Sequence, residues 1–255
     1  MIEVQELYKE FNGTPVLKGI STTFEKGKTS MIIGQSGSGK TVFLKCLVGL
    51  HVPNGGIISF DGRIHTELGI KEQRQLRQDM GMVFQGGALF DSLTIEENIL
   101  FPLKMFTDKS NSEMLDRVNV VLNRVNLENV NNKFPAELSG GMQKRVAIAR
   151  AIVMNPKYLF CDEPNSGLDP RTATVIDNLI QEITQEYQII TIINSHDMNS
   201  VMEIGEKIIF LKDGIKAWEG TNEEIFKTEN EAVVEFVYSS NLFKKVREAY
   251  LSKTK

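Results

Sequence analysis

The stretch Gly34-Gln35-Ser36-Gly37-Ser38-Gly39-Lys40-Thr41 decides the fold of this chain. It follows the apolar run 31–33 and precedes the helix-like run 42–50. Its glycines allow successive backbone N–H groups to turn inward around an anion, at the start of a helix whose dipole favours negative charge. A strand, a glycine-rich loop and a helix in this order predict a phosphate-binding loop within an α/β fold.

Two polar side chains complete this loop. The charge of Lys40 is expected at the β and γ phosphates of a nucleotide, and the hydroxyl of Thr41 is expected to bind Mg²⁺. A glycine-rich turn without a ligand is the alternative interpretation. The complete motif, placed between a strand and a helix, favours the nucleotide site.

A pair of carboxylates, Asp162 and Glu163, follows the apolar run 158–161. Asp162 is expected to hold Mg²⁺ through water, and Glu163 to polarise the water that attacks the γ-phosphate. A strand that simply ends in surface acids is the alternative. Together with the upstream loop, the pair favours nucleotide hydrolysis.

The order of predicted elements divides the chain into three regions. Up to about residue 60 the pattern is rich in strands, with an Asp61-Gly62 hairpin signal. Residues 69–154 are mostly helical, with capping boxes at Thr94 and Ser110. From residue 158 strands and helices alternate, which predicts a parallel sheet, and the helical middle region is the candidate for an inserted subdomain.

Composition limits the class of protein. The 255 residues carry a net charge of −4, which disfavours a general nucleic-acid binder. Cys46 and Cys161 lie in apolar runs and are predicted to be core thiols. We find no signal-peptide pattern and no apolar run long enough to span a bilayer. The sequence therefore predicts a protein that stays in the cytoplasm and meets a membrane only through another subunit.

The run Leu138-Ser139-Gly140-Gly141-Met142-Gln143 resembles the signature motif of ABC ATPases. Further motifs of that family match across nearly the whole chain: Gln85 in the Q-loop position, Ser166-Gly167-Leu168-Asp169 as D-loop, and His196 as switch histidine. Phe11 matches the aromatic residue that stacks on adenine, although Tyr8 could offer its ring instead. A kinase or GTPase with the same phosphate loop does not explain the run from Leu138 to Met142.

The resemblance implies an α/β fold of the ABC-type P-loop NTPase class, with a RecA-like core, an N-terminal antiparallel β subdomain and an inserted α-helical subdomain. It implies one ATPase domain over residues 1–228, with the helical subdomain at roughly 86–155. Residues 229–255 are predicted to form a C-terminal helical extension. Its apolar side chains are expected to pack on the chain's own core or on a second subunit; they are Phe236, Val237, Leu242, Phe243, Val246 and Tyr250.

The resemblance also implies a homodimer that sandwiches ATP. Ser139 and the amides of Gly140 and Gly141 would face the γ-phosphate held by the other protomer, and Asp169 would cross the interface. His196 would contact the γ-phosphate, while Gln85 would bind the metal and link the attacking water to a membrane partner. The expected nucleotide contacts of the phosphate loop are Gly34, Gln35, Ser36, Gly37, Ser38, Gly39, Lys40, Thr41 and Val42.

Some residues depart from the family pattern. Met142 replaces a common glutamine of the signature motif, Val42 replaces a common hydroxyl residue after Lys40, and Asn165 stands where threonine or serine is frequent. None of the three removes a phosphate or metal ligand. We therefore expect a competent hydrolase that uses ATP and Mg²⁺, with Glu163, His196, Gln85 and Lys40 as its catalytic side chains.

A second set of matches concerns the type of transporter. The run 85–94, the later runs 97–98 and 101–103, and the run 232–237 resemble the ATPases of Mla/MCE-type phospholipid-trafficking systems. That resemblance implies a membrane permease and an MCE-domain substrate-binding protein as partners, and a place at the cytoplasmic face of the inner membrane. Metal, amino-acid or peptide importers and soluble cluster-assembly ATPases are the alternatives.

Overall fold

The computed structural model describes residues 1–239 and 241–253, and the chain divides into two compact units. The first unit combines Met1–Glu67 with Ile192–Lys255, and the second consists of Leu68–Thr191. The helical region expected at about 86–155 lies within the second unit, which also holds strands and helices at either end of that region.

An antiparallel sheet forms the N-terminal part of the first unit. Its strands are β1 (Ile2–Phe11), β2 (Thr14–Phe24), β4 (Gly55–Phe60) and β5 (Arg63–Ile64), in the order β2-β1-β4-β5. The residues between β4 and β5 are Asp61 and Gly62, with φ of 49° and 80°. Positive φ at both positions is typical of the hairpin turns that match strand twist, so the Asp61-Gly62 hairpin signal is confirmed.

The parallel strands of the first unit carry the phosphate-binding loop. Strand β3 (Thr29–Ile33) is buried throughout and pairs in parallel with β9 (Lys207–Lys212), which pairs antiparallel with β10 (Ile215–Gly220). Strand β8 (Ile190–Asn194) follows β3 in the strand order and crosses the boundary between the units. Helices α1 (Lys40–Leu47) and α7 (Met198–Ile204) follow β3 and β8.

Short helices end the first unit: α8 (Glu224–Lys227), α9 (Glu231–Val237) and α10 (Asn241–Lys253). Thr221 and Glu224 have the sequence spacing of a capping box but do not start a helix at Thr221. Thr221 and Glu224 do exchange hydrogen bonds of 2.8 and 3.2 Å, but these bonds close a turn, and the helix starts at Glu224 itself. Of the apolar residues predicted to pack in the C-terminal extension, Leu242 has a side chain outside the described part of the chain.

The second unit contains α2 (Ile70–Gln78), α3 (Ile95–Phe106), α4 (Asn111–Arg124), α5 (Gly140–Ile152) and α6 (Pro170–Glu186). Strands β6 (Met80–Val83) and β7 (Tyr158–Asp162) pair in parallel. The capping boxes predicted at Thr94 and Ser110 are both present and start α3 and α4. Helix α4 buries one face, which is formed by Met114, Val118, Val121 and Leu122.

Both cysteines are buried and free, as predicted. Burial raises the pKa of the Cys46 thiol to about 11, so this side chain is a neutral, unreactive part of the core. Within residues 1–239 and 241–253, no helix combines the length and the apolar character needed to cross a membrane.

Candidate functional site

The phosphate-binding loop leaves β3 in a conformation that requires glycine at residue 34. Gly34 has φ of 149°, and a Cβ atom there would lie 2.2 Å from the carbonyl oxygen of Leu211 and 2.7 Å from Oγ of Ser38. A side chain at this position would therefore collide with strand β9. The loop can approach β9 this closely only because residue 34 has no side chain.

Inside the loop lies the ammonium group of Lys40. Only 8% of this residue is exposed, and Nζ donates to the carbonyl oxygens of Gly34 at 2.8 Å and Gln35 at 3.0 Å. Oγ of Ser38 is buried and has no hydrogen-bond partner among the described residues. A buried cation, an unpaired hydroxyl and the start of α1 make this concave loop suited to a phosphate group.

The other predicted contacts of this loop lie at its rim and on α1. Gln35, Ser36 and Gly37 are exposed, Gly39 is the N-cap of α1, and Thr41 and Val42 lie in its first turn. Lys40 and Thr41 are thus adjacent at the helix N-terminus.

The first unit also contains Phe11 and His196. Phe11 ends β1, is 39% exposed, and packs edge-on against His51 with ring centroids 5.2 Å apart. Tyr8 is half-buried, and its hydroxyl donates to Glu10 at 3.2 Å. His196 is exposed and follows β8, where the next residue, Asp197, caps α7.

The carboxylates predicted to hold the metal ion (Asp162) and to accept the proton (Glu163) lie at the end of strand β7 in the second unit. Asp162 is buried, and Glu163 has φ of 48°, in the left-handed region that residues other than glycine seldom adopt. Backbone strain of this kind recurs at active sites. Nε2 of Gln85 donates to Oε2 of Glu163 at 2.8 Å, so the structure brings together two residues that the sequence places 78 positions apart.

The backbone of the Gln85 loop is held by Ser166 of the D-loop and by two cations, Lys144 and Arg150, that the sequence did not predict. Lys144 Nζ and Ser166 Oγ both donate to the carbonyl oxygen of Gln85, the latter at 3.2 Å. Arg150 donates to the carbonyl oxygens of the next residues, Gly87 and Ala88, at 2.8 Å each. A cation on a helix usually points to solvent, and nothing in the spacing of Lys144 or Arg150 distinguishes them from such residues.

The signature residues begin helix α5. Ser139 is its N-cap, with Oγ accepting from the N–H of Met142 at 3.4 Å, and Gly140 and Gly141 form the first turn. A Cβ atom on Gly141 would lie 2.6 Å from Thr172, so α5 and α6 meet closely here. The N–H groups of Gly140 and Gly141 thus lie at a helix N-terminus, where the helix dipole favours an anion.

Asp169 is the N-cap of α6. Its carboxylate accepts hydrogen bonds from the side chain and the backbone N–H of Thr172, at 2.5 and 3.1 Å. These two bonds lower the pKa of Asp169. Within its own chain, Asp169 therefore stabilises the start of helix α6.

An apolar groove of about 400 Å³ opens in the second unit beside the Gln85 loop. Asn98 is fully buried and fixes the loop along this groove, through hydrogen bonds with the backbone of Phe90, Leu93 and Thr94. Four of the side chains that line the groove are aromatic, namely Phe84, Phe90, Phe101 and Phe106. Exposed aromatic side chains gathered in one groove favour a protein-binding site.

Comparison with known proteins places this geometry in a family. Residues 17–166 match the family model described as ABC transporter. The chain is 42% identical over 217 residues to the methionine import ATP-binding protein MetN of Clostridium tetani, covering 85% of this chain and 67% of that protein. It is 41% identical over 198 residues to the probable ribonucleotide transport ATP-binding protein mkl of Mycobacterium bovis, covering 78% of this chain and 55% of that protein.

A solved structure gives the same result for the fold. The ATP-binding cassette MJ0796, solved as a dimer in a post-hydrolysis state with ADP and Pi, superimposes with a TM-score of 0.79 at 32% identity. The alignment covers 87% of this chain and 99% of that one. The predicted α/β cassette fold, with an antiparallel β part and a helical part, is confirmed.

Proposed function

This chain belongs to the ABC transporter family, and we propose that it binds and hydrolyses ATP as the nucleotide-binding subunit of a membrane transporter. The observation that carries the proposal is the glycine-dependent loop with the buried ammonium group of Lys40 inside it. A buried lysine inside a glycine-dependent loop is well placed for a phosphate, whose charge is opposite to its own.

We also propose that the chain holds a magnesium ion. Thr41 offers a hydroxyl, Asp162 a carboxylate and Gln85 an amide oxygen, and Mg²⁺ prefers such hard oxygen ligands. When bound, the ion would neutralise charge on the β and γ phosphates. Lys40 and the loop amides hold the same phosphates from the protein side.

Hydrolysis needs a group that accepts a proton from the attacking water, and we assign this role to Glu163. Its backbone conformation and the amide of Gln85 determine where the carboxylate points. His196 would contact the γ-phosphate. Phe11 is the proposed adenine contact, and Tyr8 is the alternative.

The ATP site is proposed to be shared between two copies of the chain. Ser139, Gly140 and Gly141 would bind the γ-phosphate held by the loop of the partner copy, with Asp169 near the interface. The dimeric form of the MJ0796 cassette supports this arrangement. ATP binding would then close the dimer, and hydrolysis would release it.

The apolar groove is the proposed docking site for the permease. Leu89 and Phe90 lie on the loop that starts at Gln85, so a permease segment in the groove would be mechanically linked to Glu163. Charged substitutions at these two positions are expected to detach the ATPase from the permease. Retained assembly of the double variant would place the contact elsewhere.

For the transported substrate we propose phospholipid, moved with the help of an MCE-domain protein at the cytoplasmic face of the inner membrane. The run 85–94 and the run 232–237 support this assignment. The similarity to a methionine import protein favours an amino-acid importer as the second candidate. Gentle purification from the native membrane separates the two, because an MCE-domain protein should accompany only a lipid system. Recovery with iron-sulfur cluster-assembly proteins and without a permease would exclude both the lipid transporter and the amino-acid importer.

The ATPase assignment is tested by two substitutions that affect different steps. Glu163→Gln is expected to keep ATP affinity and to slow phosphate release by at least about 100-fold, because only the proton acceptor is lost. Lys40→Ala is expected to weaken ATP binding itself, because the phosphates lose their buried cation. Wild-type turnover in the first variant, or wild-type affinity in the second, would contradict the assigned roles.

A further inference from the structure

Helix α5 holds three backbone carbonyl groups of the Gln85 loop with two cations. Lys144 Nζ donates to the carbonyl oxygen of Gln85, and Arg150 donates to those of Gly87 and Ala88. The bonds to Gly87 and Ala88 are each 2.8 Å long. The helix that begins with Ser139 therefore determines the path of this loop.

Lys144 lies at a buried position, where a charged side chain is energetically unfavourable. Only 7% of the residue is exposed, and burial lowers the pKa of its ammonium group, while the nearby Cys161 and Glu163 oppose that shift. An apolar side chain of similar length would fill the space without that cost. The presence of lysine at position 144 is therefore better explained by its hydrogen bond to the carbonyl oxygen of Gln85 than by packing.

Gln85 connects Lys144 to the carboxylate of Glu163. Its carbonyl oxygen accepts from Lys144 and from Ser166, and its side-chain amide donates to Glu163 at 2.8 Å. Fixing the backbone of Gln85 limits the positions that its side chain can reach. The direction of the Glu163 carboxylate thus depends on a contact that starts on α5.

Arg150 stabilises the part of the loop next to Gln85. Ala88 has φ of 48°, a conformation that residues other than glycine seldom adopt. The guanidinium group bonds the carbonyl oxygen of this residue and lies over the ring of Phe90, 5.8 Å from its centroid. These contacts compensate for the backbone strain at Ala88 and leave Lys144 as the cation that acts on Gln85 itself.

We infer that Lys144 is a positioning residue for ATP hydrolysis, which acts on Glu163 through Gln85. This inference rests on the proposed ATPase function. It adds a route from the signature helix to the catalytic carboxylate within one chain, since α5 carries both Ser139 and Lys144. Lys144 is assigned no contact of its own with the nucleotide or the attacking water.

The first test compares Lys144→Met with Arg145→Met in the full chain. Arg145 is the next residue on α5, and its guanidinium bonds the carbonyl oxygen of Asn126, away from the Gln85 loop. Lys144→Met is expected to lower kcat about tenfold with unchanged affinity for ATP, because the phosphate loop is intact. Arg145→Met should leave kcat and affinity at the wild-type values. Wild-type kcat in Lys144→Met would overturn the inference.

The second test is a double-mutant cycle with Gln85→Ala. If Lys144 acts through the Gln85 side chain, Lys144→Met should change kcat less than about twofold when Gln85 is already alanine. A tenfold loss in both backgrounds would assign Lys144 a general structural role and overturn the inference. Melting temperatures are measured for every variant, because a positioning role predicts a loss of kcat in folded protein.

A substitute variant covers the case in which Lys144→Met does not fold. Ser166→Ala removes the other side-chain donor to the Gln85 carbonyl oxygen, and the same cycle with Gln85→Ala applies. A kcat loss that disappears in the Gln85→Ala background supports the route, and equal losses contradict it. A wild-type chain that releases no phosphate from ATP would instead refute the proposed function, so the two failures are distinguishable.

Discussion

Gln85 donates a hydrogen bond from its side-chain amide to the carboxylate of Glu163, with 2.8 Å between Nε2 and Oε2. This contact joins the loop beside the apolar groove to the residue assigned as proton acceptor. A movement of the loop can therefore change the position of the Glu163 carboxylate directly.

Replacing the amide by a second carboxylate tests this contact. In Gln85→Glu, the amide donor is replaced by a second carboxylate that repels Glu163 at hydrogen-bond distance. Because this repulsion turns the proton acceptor away from its position, phosphate release at saturating ATP should be slower than in Gln85→Ala, which lacks the second charge. Equal rates in the two variants would mean that the side chains do not face each other during turnover.

Glu219 offers a test of stability in the first unit. Its carboxylate binds Lys207 at 2.6 Å and Lys216 at 2.5 Å, and it accepts a hydrogen bond from Thr22 at 3.2 Å. Glu219→Gln is expected to lower the free energy of unfolding by about 1–2 kcal/mol at neutral pH. Urea unfolding measures this change, and Glu223→Gln, on an exposed residue, is the matched control.

The effect of Glu219 should depend on pH in a defined direction. Burial alone would raise the pKa of Glu219, but the bonds to Lys207 and Lys216 outweigh burial and lower it from 4.5. A carboxyl group whose pKa is lower in the folded state than in the unfolded state stabilises the fold at pH values above its unfolded-state pKa. This stabilisation is lost as the pH falls through the folded-state pKa. The difference between wild type and Glu219→Gln should therefore shrink below about pH 4.5. A difference that is constant from neutral to acidic pH would rule out the ionised carboxylate as its source.

The C-terminal helix is expected to stabilise its own chain. The rings of Tyr250 and Phe226 stack with centroids 4.9 Å apart, and Arg247 bonds the carbonyl oxygens of Phe226 and Thr228 at 3.1 and 2.6 Å. Arg247→Ala should cost about 1–3 kcal/mol of unfolding free energy, and Lys245→Ala, on an exposed residue of the same helix, should cost little.

Truncation after Tyr238 separates the two roles proposed for the extension. A lower melting temperature of the isolated chain is expected, because the contacts of α10 lie within the first unit. Loss of the dimer or of the transporter complex with an unchanged melting temperature would instead assign these residues to a partner contact.

The shared ATP site is tested by complementation between two defective chains. One tagged chain carries Lys40→Ala and the other carries Ser139→Arg, both with Glu163→Gln so that a closed dimer persists. Each alone lacks either the lysine or the serine in every composite site, so neither should trap nucleotide. In the mixed dimer both lesions fall in one site, and one occluded ATP per dimer is expected.

Two readouts keep this experiment decisive. Dimer isolation detects a stable mixed species, and photo-crosslinking detects bound nucleotide where closure with a single ATP is weak. With the Ser139→Arg chain shown to be folded, the absence of rescue by either readout would mean that the two motifs do not serve the same ATP.

The sequence by itself determined those features that depend on neighbouring residues. The phosphate-binding loop, the hairpin at Asp61-Gly62 and the capping boxes at Thr94 and Ser110 all follow from chemistry within a few positions. The two residues of a capping box are three positions apart, so their spacing in the sequence already determines that they meet in the structure. The turn at Thr221 shows the limit of such signals, because a hydrogen-bonded pair can form without starting the helix.

Only the tertiary structure decided which side chains meet around Glu163. Lys144 lies 59 positions from Gln85, which lies 78 positions from Glu163, and no periodicity links the three. Their contacts arise because α5 packs beside the Gln85 loop and brings a buried cation to its carbonyl oxygen. A lysine on an amphipathic helix can point to solvent or can donate to a buried acceptor. Which of the two occurs depends on whether tertiary packing places an acceptor within its reach.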